Sequence, residues 1–543
     1  MAKKVFYDDD ARKRVLGGAE ILYNAVKTTM GPKGRNVVIG KGYKNTITHD
    51  GVTVADNVDV ADVDDETLGY KVGAELIKQA ATKMNKSAGD GTTTVTVLTY
   101  NILHEANKLI AAGHNPMLLR KGLEKAAHDV ISGLNDLAED IQGKKARVAE
   151  VATISAGDSE IGKLIADVID KVGHDGVVTV EAGQSLNLES EIVDGFTVDR
   201  GFISAYMVTD TSRMEAVLNK PHIVVTDKKI SSLQEFLPLL EQLAQTGNKD
   251  LLIIADDVEG EALGTLVLNK LKGVFNTVAI KAPSYRREDI LQDIAVLTGA
   301  QVITDDRGMT FENVGLDVVG TARRVIVGKD STTIIEGDGN APEIKAWLGV
   351  IEARIEEAKS YDKEHHEKRR AALSGKGKVA VIKVGGVTET EIEEKKFRVD
   401  DAVAAVKAAL SEGIVPGGGV TLVNLADKII IEGSDSVSAG ASILKNALEK
   451  PFRIIMENAG LNADEWLPKV RAAKPGMGVD VNRPNKLVDL KLKGVIDPVA
   501  VTKKAVESAS SIAGTAMTMG ALVVEVPEKT APAPDMGGGM GMM

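Results

Sequence analysis

The order in which hydrophobic periodicities follow one another constrains this chain more than any single motif. Helical patterns run to about residue 141, and a mixed segment follows to Gly195. Strands then alternate with helices to about Val379, a second mixed segment reaches about residue 411, and helices resume. Such a symmetric order predicts nested insertion. The two chain ends form one domain, the two mixed segments a second, and the α/β stretch lies between them. At 543 residues the chain is also too long for one compact core.

Hydrophobic content of 43% and charged content of 27% describe an ordinary soluble protein. Only 3% of residues are aromatic, so the core must be built from small aliphatic side chains. A net charge of -12, with 78 acidic residues spread among 66 basic ones, argues against a nucleic-acid partner or an anionic membrane surface. The absence of cysteine excludes disulfides, thiolate catalysis and zinc-thiolate sites. The first residues are charged, with no apolar signal region, and no apolar run approaches the length of a membrane span. The expectation is a cytoplasmic protein.

Three glycine-bearing turns enter or leave helices. The first, Gly89-Asp90-Gly91-Thr92-Thr93-Thr94, separates two helical patterns. Its glycines free the backbone, its threonines offer hydroxyls and unpaired amides at a helix start, and Asp90 adds a hard oxygen ligand of the kind that holds magnesium. The same residues fit an ordinary helix cap equally well. The second turn, Met30-Gly31-Pro32-Lys33-Gly34-Arg35-Asn36, ends a helix predicted over 10–29, and it fits either a ligand turn or a plain helix stop. A hairpin is predicted next, with Asp50 starting its turn. The third turn is Pro416-Gly417-Gly418-Gly419.

The α/β stretch has predicted strands at 223–225, 251–254, 277–280 and 302–303, but no glycine-rich mononucleotide or dinucleotide fingerprint. Its helices at 231–245 and 260–271 carry apolar stripes wide enough to cover a sheet and still leave a groove. A single long helix is predicted over 346–372. Its run from Lys363 to Arg370 includes His365 and His366, yet Arg370 stands where a zinc-protease motif needs histidine, so the run reads as a solvated face. Asp400 and Asp401 fall within a helix predicted over 391–410, where surface charges are the default. There is no Gly-x-Ser-x-Gly elbow, and the end of the chain, 527–543, reads as a flexible Gly/Met tail.

Thr29 to Asn36, Gly89 to Thr94, Arg398-Val399-Asp400-Asp401-Ala402, Pro416 to Gly419 and the Gly-Met tail, in this order and at these separations, resemble the group I chaperonins, the bacterial 60 kDa chaperonin family. The resemblance covers essentially the whole chain and is weakest between Asn458 and Asp489. It implies a multidomain α/β fold. A mainly helical equatorial domain comes from both chain ends (1–136 and 412–526), a small mixed intermediate domain from 137–194 and 380–411, and an apical α/β domain from 195–379 is inserted between. It also implies an ATPase that captures unfolded polypeptides on an apical hydrophobic rim. These are enclosed in a chamber of heptameric rings, stacked as a double-ring 14-mer, under a heptameric co-chaperonin lid.

Carried over residue by residue, the resemblance assigns nucleotide contacts to Thr29, Met30, Gly31, Pro32, Asp90, Gly91, Thr92, Thr93, Thr94, Gly418 and Asp497. Asp90 would bind Mg2+, and Thr29 and Thr93 would lie at a K+ site. Asp50 and Asp401 match the carboxylates that position and polarise the attacking water, and Phe202, Tyr206, Met207, Leu237, Leu240, Leu263, Val267 and Leu268 match the apical groove. Three departures stand out. His49 replaces a usual lysine, the adenine-side loop differs around Val479, Asp480 and Val481, and Leu461-Asn462 replace adjacent acids of the ring-ring contact although Arg453 is kept. The last of these leaves a single-ring form open.

Overall fold

The computed structural model describes residues 3–41, 44–62, 64–173, 176–183, 185–211, 213–284, 286–358, 361–373 and 378–526; the Gly/Met tail lies outside the described residues. The chain divides into two compact units, one made of Met1–Ile141 with Ala408–Met543 and the other of Gln142–Lys407.

At the centre of the first unit is the helix Thr92–Ala111, which buries Val95, Leu98, Ile102 and Ala106 together with Thr96, Thr99 and Asn101. A helix apolar on several faces must be surrounded. Residues of Tyr70–Ala88, Pro116–Leu137, Asp435–Ala447 and Val499–Ala516 share one core with it. Helix starts follow local chemistry. Asn115 accepts from the amides of Met117 and Leu118 and is followed by Pro116, whose missing N–H costs nothing at that position. The helices Pro116–Leu137 and Asp435–Ala447 touch through glycines: a methyl group at Gly440 would lie 2.1 Å from the Leu119 carbonyl oxygen, and one at Gly122 would lie 2.0 Å from that of Val437. The two chain ends then join, Lys3–Tyr7 pairing antiparallel with Ala521–Glu525 so that Val5 faces Val523.

The predicted hairpin is present as Val37–Lys41 paired with Lys44–Thr48. Asp50, expected in its turn, instead caps the next helix, Gly51–Asn57. The second strand ends before it, at Thr48, and the first amides of that helix need an acceptor.

The second unit is organised by a sheet of ten strands among the described residues. Its order begins Asn276–Lys281, Asp250–Ala255, His222–Thr226, three parallel strands with buried apolar side chains. It continues antiparallel through Gly320–Val327, Thr332–Gly337, Glu189–Val198 and Lys378–Val384, and ends on Val177–Ala182, parallel to its neighbour. Gly195 lies inside Glu189–Val198, where that strand changes partner. Glu189 to Asp194 face Lys378–Val384, and the remainder faces Thr332–Gly337.

Two helix expectations need correction. The stretch 231–245 is helical only over Leu237–Gln245, since Pro238 suits a first turn and not an interior. The long helix over 346–372 is two, Ala341–Glu357 and Tyr361–Ala371, broken where Ala358 is extended. The run 363–370 is solvated on one side only, through Lys363, Glu367 and Arg370. His366 and Arg369 are buried, and Arg369 grips the fully buried Asp293 of Arg287–Thr298 with Nε to Oδ2 at 2.7 Å and Nη2 to Oδ1 at 2.8 Å. Trp347 Nε1 donates to the same carboxylate at 2.6 Å. The break lets the second helix turn its cations onto Asp293 and Asp289. Burial, then the charge of Arg369 and Arg286, holds His366 below the usual imidazole range.

Among the described residues no helix is long and apolar enough to cross a membrane. Two substitutions test the packing. Gly440→Ala should lower stability by about 1–3 kcal/mol despite alanine's better helix propensity, because the helices must separate; urea unfolding followed by circular dichroism reads this, and an unchanged midpoint would refute the contact. Arg369→Ala should cost about 3–5 kcal/mol by stranding Asp293, whereas the double change with Asp293→Leu should recover much of that loss in the same measurement.

Candidate functional site

Separate connections of the first unit converge on the start of the helix Thr92–Ala111. Asp90 stands between Gly89 at φ +66° and Gly91 at φ +81°, both left-handed. Only glycine fits at 91, since a methyl group there would lie 2.7 Å from Val501 Cγ1 and 2.9 Å from Met84 Cε. The reversal aims Asp90 back over the helix start, with its Oδ1 accepting the Gly91 N–H at 2.5 Å. The N-cap residue of this helix is Gly91, which has no side chain to accept from the first-turn amides at Thr92, Thr93 and Thr94.

The other connections close on the same point. Thr29, at the end of the 3₁₀ turn Lys27–Thr29, brings Oγ1 within 3.3 Å of Thr93 Oγ1 while donating to the Val26 carbonyl. Beyond it Met30 is buried against Val97 and Ile454, and Gly31 takes φ +81° ahead of exposed Pro32. The backbone of Gly51 packs on the threonines so closely that a methyl group would lie 2.5 Å from Thr93 Oγ1 and 3.1 Å from Thr92 Oγ1, which sets Asp50 beside them. Asp50 accepts from Val52 N at 3.1 Å, Thr53 N at 2.8 Å and Thr53 Oγ1 at 2.6 Å, which fixes its carboxylate firmly.

From the far end of the chain, Ile414–Pro416 pairs with Ile496–Pro498, placing Val415 opposite Asp497. A side chain at Gly417 would crowd Asp497 Oδ1 at 2.8 Å, and Gly418 follows at φ +66°. Burial pushes the Asp497 carboxyl up to about 7, and the charge of Asp90 pushes it the same way. Two carboxylates that raise each other's cost of ionisation suit a neighbouring cation. Among the described residues no three His, Cys, Asp or Glu side chains gather as a metal site. A cation beside Asp90 therefore needs oxygens from a ligand as well, as magnesium does with phosphates. Uncapped amides, threonine hydroxyls and Asp90 together fit such a magnesium-phosphate group.

The segment around Val479, Asp480 and Val481 is a hairpin of Met477–Val479 with Leu487–Asp489. Val479 is buried, and Asp480 holds the turn by accepting from Asn482 N at 3.0 Å. Leu461 packs against the core that contains Phe452, Asn462 caps Ala463–Ala472, and Arg453 pairs with Asp464 at 2.5 Å.

In the second unit the eight residues that the resemblance matches to a groove separate by exposure. Tyr206, Leu237 and Leu268 are exposed, and Phe202, Leu263 and Val267 are half-buried against the core. Met207 and Leu240, which the resemblance also matches to the groove, are buried. Met207 is held from two sides, its sulfur accepting the Ala279 N–H at 3.3 Å and its carbonyl accepting from Lys270 Nζ at 2.5 Å. Burial draws that lysine down to about 8. Leu271, at the end of the helix Gly260–Leu271, and Val274, which sequence reasoning did not single out, are exposed as well.

Asp401 lies in this second unit, partly exposed on the helix Glu389–Glu412 next to buried Asp400, whose Oδ1 is 2.7 Å from Arg213 Nη2. Two contributors escaped sequence reasoning. Arg213 sits in an unremarkable polar loop. Asn458, whose Nδ2 donates to the carbonyls of Lys27 and Met30 at 3.0 and 2.9 Å, comes from a helix more than four hundred residues away, and nothing local signals it.

The sequence matches the TCP-1/cpn60 chaperonin family over residues 22–527. Among solved structures it is similar to the chaperonin gp146 from the bacteriophage EL 2 (Pseudomonas aeruginosa), crystallised in the presence of ATP-BeFx. The TM-score is 0.62 and the identity 22%, over 97% of this chain and 99% of that one. This likeness establishes the fold. The chain belongs to the TCP-1/cpn60 chaperonin family.

Proposed function

We propose that this chain is an ATP-dependent chaperonin of the group I kind, which captures unfolded polypeptides and encloses them for folding. The observation that carries the reading is that Tyr206, Leu237, Leu268, Leu271 and Val274, on and around the helices Leu237–Gln245 and Gly260–Leu271, are all exposed large apolar side chains, which suits binding of apolar partners. Repeated around a ring, weak apolar contacts of this kind hold exposed hydrophobic chains without sequence preference. The same face receives the heptameric co-chaperonin. The subunit works as three domains with the boundaries set out above, assembled in heptameric rings as a double-ring 14-mer in the cytoplasm. Exposed Val38 and Ile47 on the hairpin, and Tyr7 and Val523 on the terminal strands, are apolar surface suited to contact between copies.

ATP hydrolysis drives the cycle and supplies the free energy of conformational change. Asp90 holds Mg2+, the amides and hydroxyls of Thr92, Thr93 and Thr94 hold phosphate oxygens, and Thr29 with Thr93 holds K+. Gly31, Gly91 and Gly418 let backbone approach the nucleotide, while Met30, Pro32 and Asp497 complete its surroundings. Asp50, fixed by its cap bonds, orients the attacking water. Asp401 polarises that water when the inserted unit delivers it to the site.

In the Asp401→Ala variant nucleotide binding, read by titration with a fluorescent ATP analogue, should stay near the original affinity while steady-state hydrolysis falls by about 10²-fold or more; undiminished turnover would remove Asp401 from this role. Leu237→Glu should abolish suppression of aggregation of a chemically denatured protein, measured by light scattering, and spare ATP hydrolysis. Capture that survives this change would return Leu237 to the status of an incidental surface residue.

A further inference from the structure

The loop joining the 3₁₀ turn Ala205–Met207 to the strand Ala216–Asn219 is tightly closed. Thr209 N and Asp210 N donate to the Glu215 carbonyl at 3.0 and 2.9 Å, and Glu215 N donates back to the Asp210 carbonyl at 3.1 Å. Arg213 N donates to Asp210 Oδ1 at 3.2 Å, Val217 N to Thr209 Oγ1 at 2.8 Å, and Met214 is held at φ +53°. A non-glycine residue in that region costs free energy unless its surroundings impose it. The loop therefore presents Arg213 in a defined direction. Its guanidinium lies 2.7 Å from Asp400 Oδ1 and 3.8 Å from Glu215 Oε2, with the charges of Asp210 and Asp401 also acting on it.

Asp400 is only 8% exposed, so this ion pair fixes geometry. Burial pushes its carboxyl up to about 6, while Arg213 and Lys396 draw it down and Glu215 and Asp210 oppose them. An uncompensated carboxylate would not stay in that position. Successive residues of an α-helix project about 100° apart. Seating Asp400 against the loop thus sets the rotation of Glu389–Glu412 about its own axis, and with it the direction in which Asp401 faces.

We infer that Arg213 is a positioning residue for ATP hydrolysis: by holding Asp400 it sets the helix rotation that presents Asp401 to the attacking water. The inference rests on the reading of Asp401 given above. Arg213 touches no reacting atom in this scheme. It acts wholly through its neighbour.

Arg213→Ala, Arg213→Lys and Asp400→Asn, made in the full-length assembled chain, test it by steady-state ATP hydrolysis. Arg213→Ala should lower kcat by about tenfold or more, as misplacement of a reacting group does, and leave KM for ATP within about twofold. Arg213→Lys should restore most of the rate, because an ammonium group can still meet Asp400. Asp400→Asn, which keeps the shape but loses the charge, should show the same kcat loss as Arg213→Ala. Added to Asp401→Ala, Arg213→Ala should cause no further loss. Unchanged kcat in Arg213→Ala overturns the inference, and so does an equal further loss in the Asp401→Ala background or a loss that lysine does not rescue. Full turnover in Asp401→Ala alone, or no turnover in the unsubstituted chain, overturns the reading of Asp401 itself, so the two failures are distinct.

Discussion

Backbone packed directly on backbone is the constraint on which the first unit rests. The helices Pro116–Leu137 and Asp435–Ala447 meet with glycine on each side and no room for a Cβ. At the third glycine turn, a methyl group on Gly419 would lie 2.7 Å from the Phe452 amide nitrogen. Glycine inside a helix costs roughly 0.5–1 kcal/mol relative to alanine, and the gain is a contact that leaves little play between elements. A chain with 3% aromatic residues needs such contacts, since it has few large side chains to fill the gaps that wider spacing would open. The phosphate-binding geometry proposed here inherits that rigidity. Gly51 sits on Thr92 and Thr93 with no side chain of its own between them, so Asp50 and the threonines keep their spacing without help from a ligand.

The second unit is fixed in a different way. Its sheet supplies the apolar core, but two of its helices are oriented by ion pairs on buried carboxylates: the buried pair of Arg369 with Asp293, and buried Asp400 with the more exposed Arg213. Such pairs return little net stability, because desolvation offsets most of the attraction. What they supply is direction, since a buried carboxylate tolerates only the arrangement that keeps its cation. A unit that, on the function proposed above, moves and still presents particular faces would be well served by contacts of this type.

Much of this was legible in the sequence, and where it was not the reason is specific. The strands at 223–225, 251–254 and 277–280 read clearly because they are short apolar runs bounded by polar turns, and each lies within a slightly longer strand. The helix expected over 260–271 spans those same residues. The glycine turns were visible because left-handed backbone leaves a residue-type signature. The break at Ala358 left none, for alanine suits a helix; beyond it Arg369 pairs with Asp289 and Asp293, partners distant in sequence that no local pattern reveals. Similarly, the stripes on Leu237–Gln245 and Gly260–Leu271 were evident, but which members face water was not. Leu240 turned inward and Leu268 outward because the sheet covers one side of each helix, a fact no periodicity contains. The resemblance assigned Asp50 to the site, but its cap bonds depend on a helix only seven residues long, too short to announce itself.

The pairing of Lys3–Tyr7 with Ala521–Glu525 bears on how the protein is made. A ribosome delivers about 5–20 residues per second, so the N-terminal strand emerges long before its partner exists. The inserted unit, Gln142–Lys407, has all its strands available well before synthesis ends, whereas the unit formed by the chain ends cannot close its terminal sheet until the last segment is released. For much of its own synthesis the N-terminal segment must therefore wait with an unpaired strand edge and an unfinished helical core. By that account a member of a chaperonin family spends much of its own synthesis as an incomplete chain.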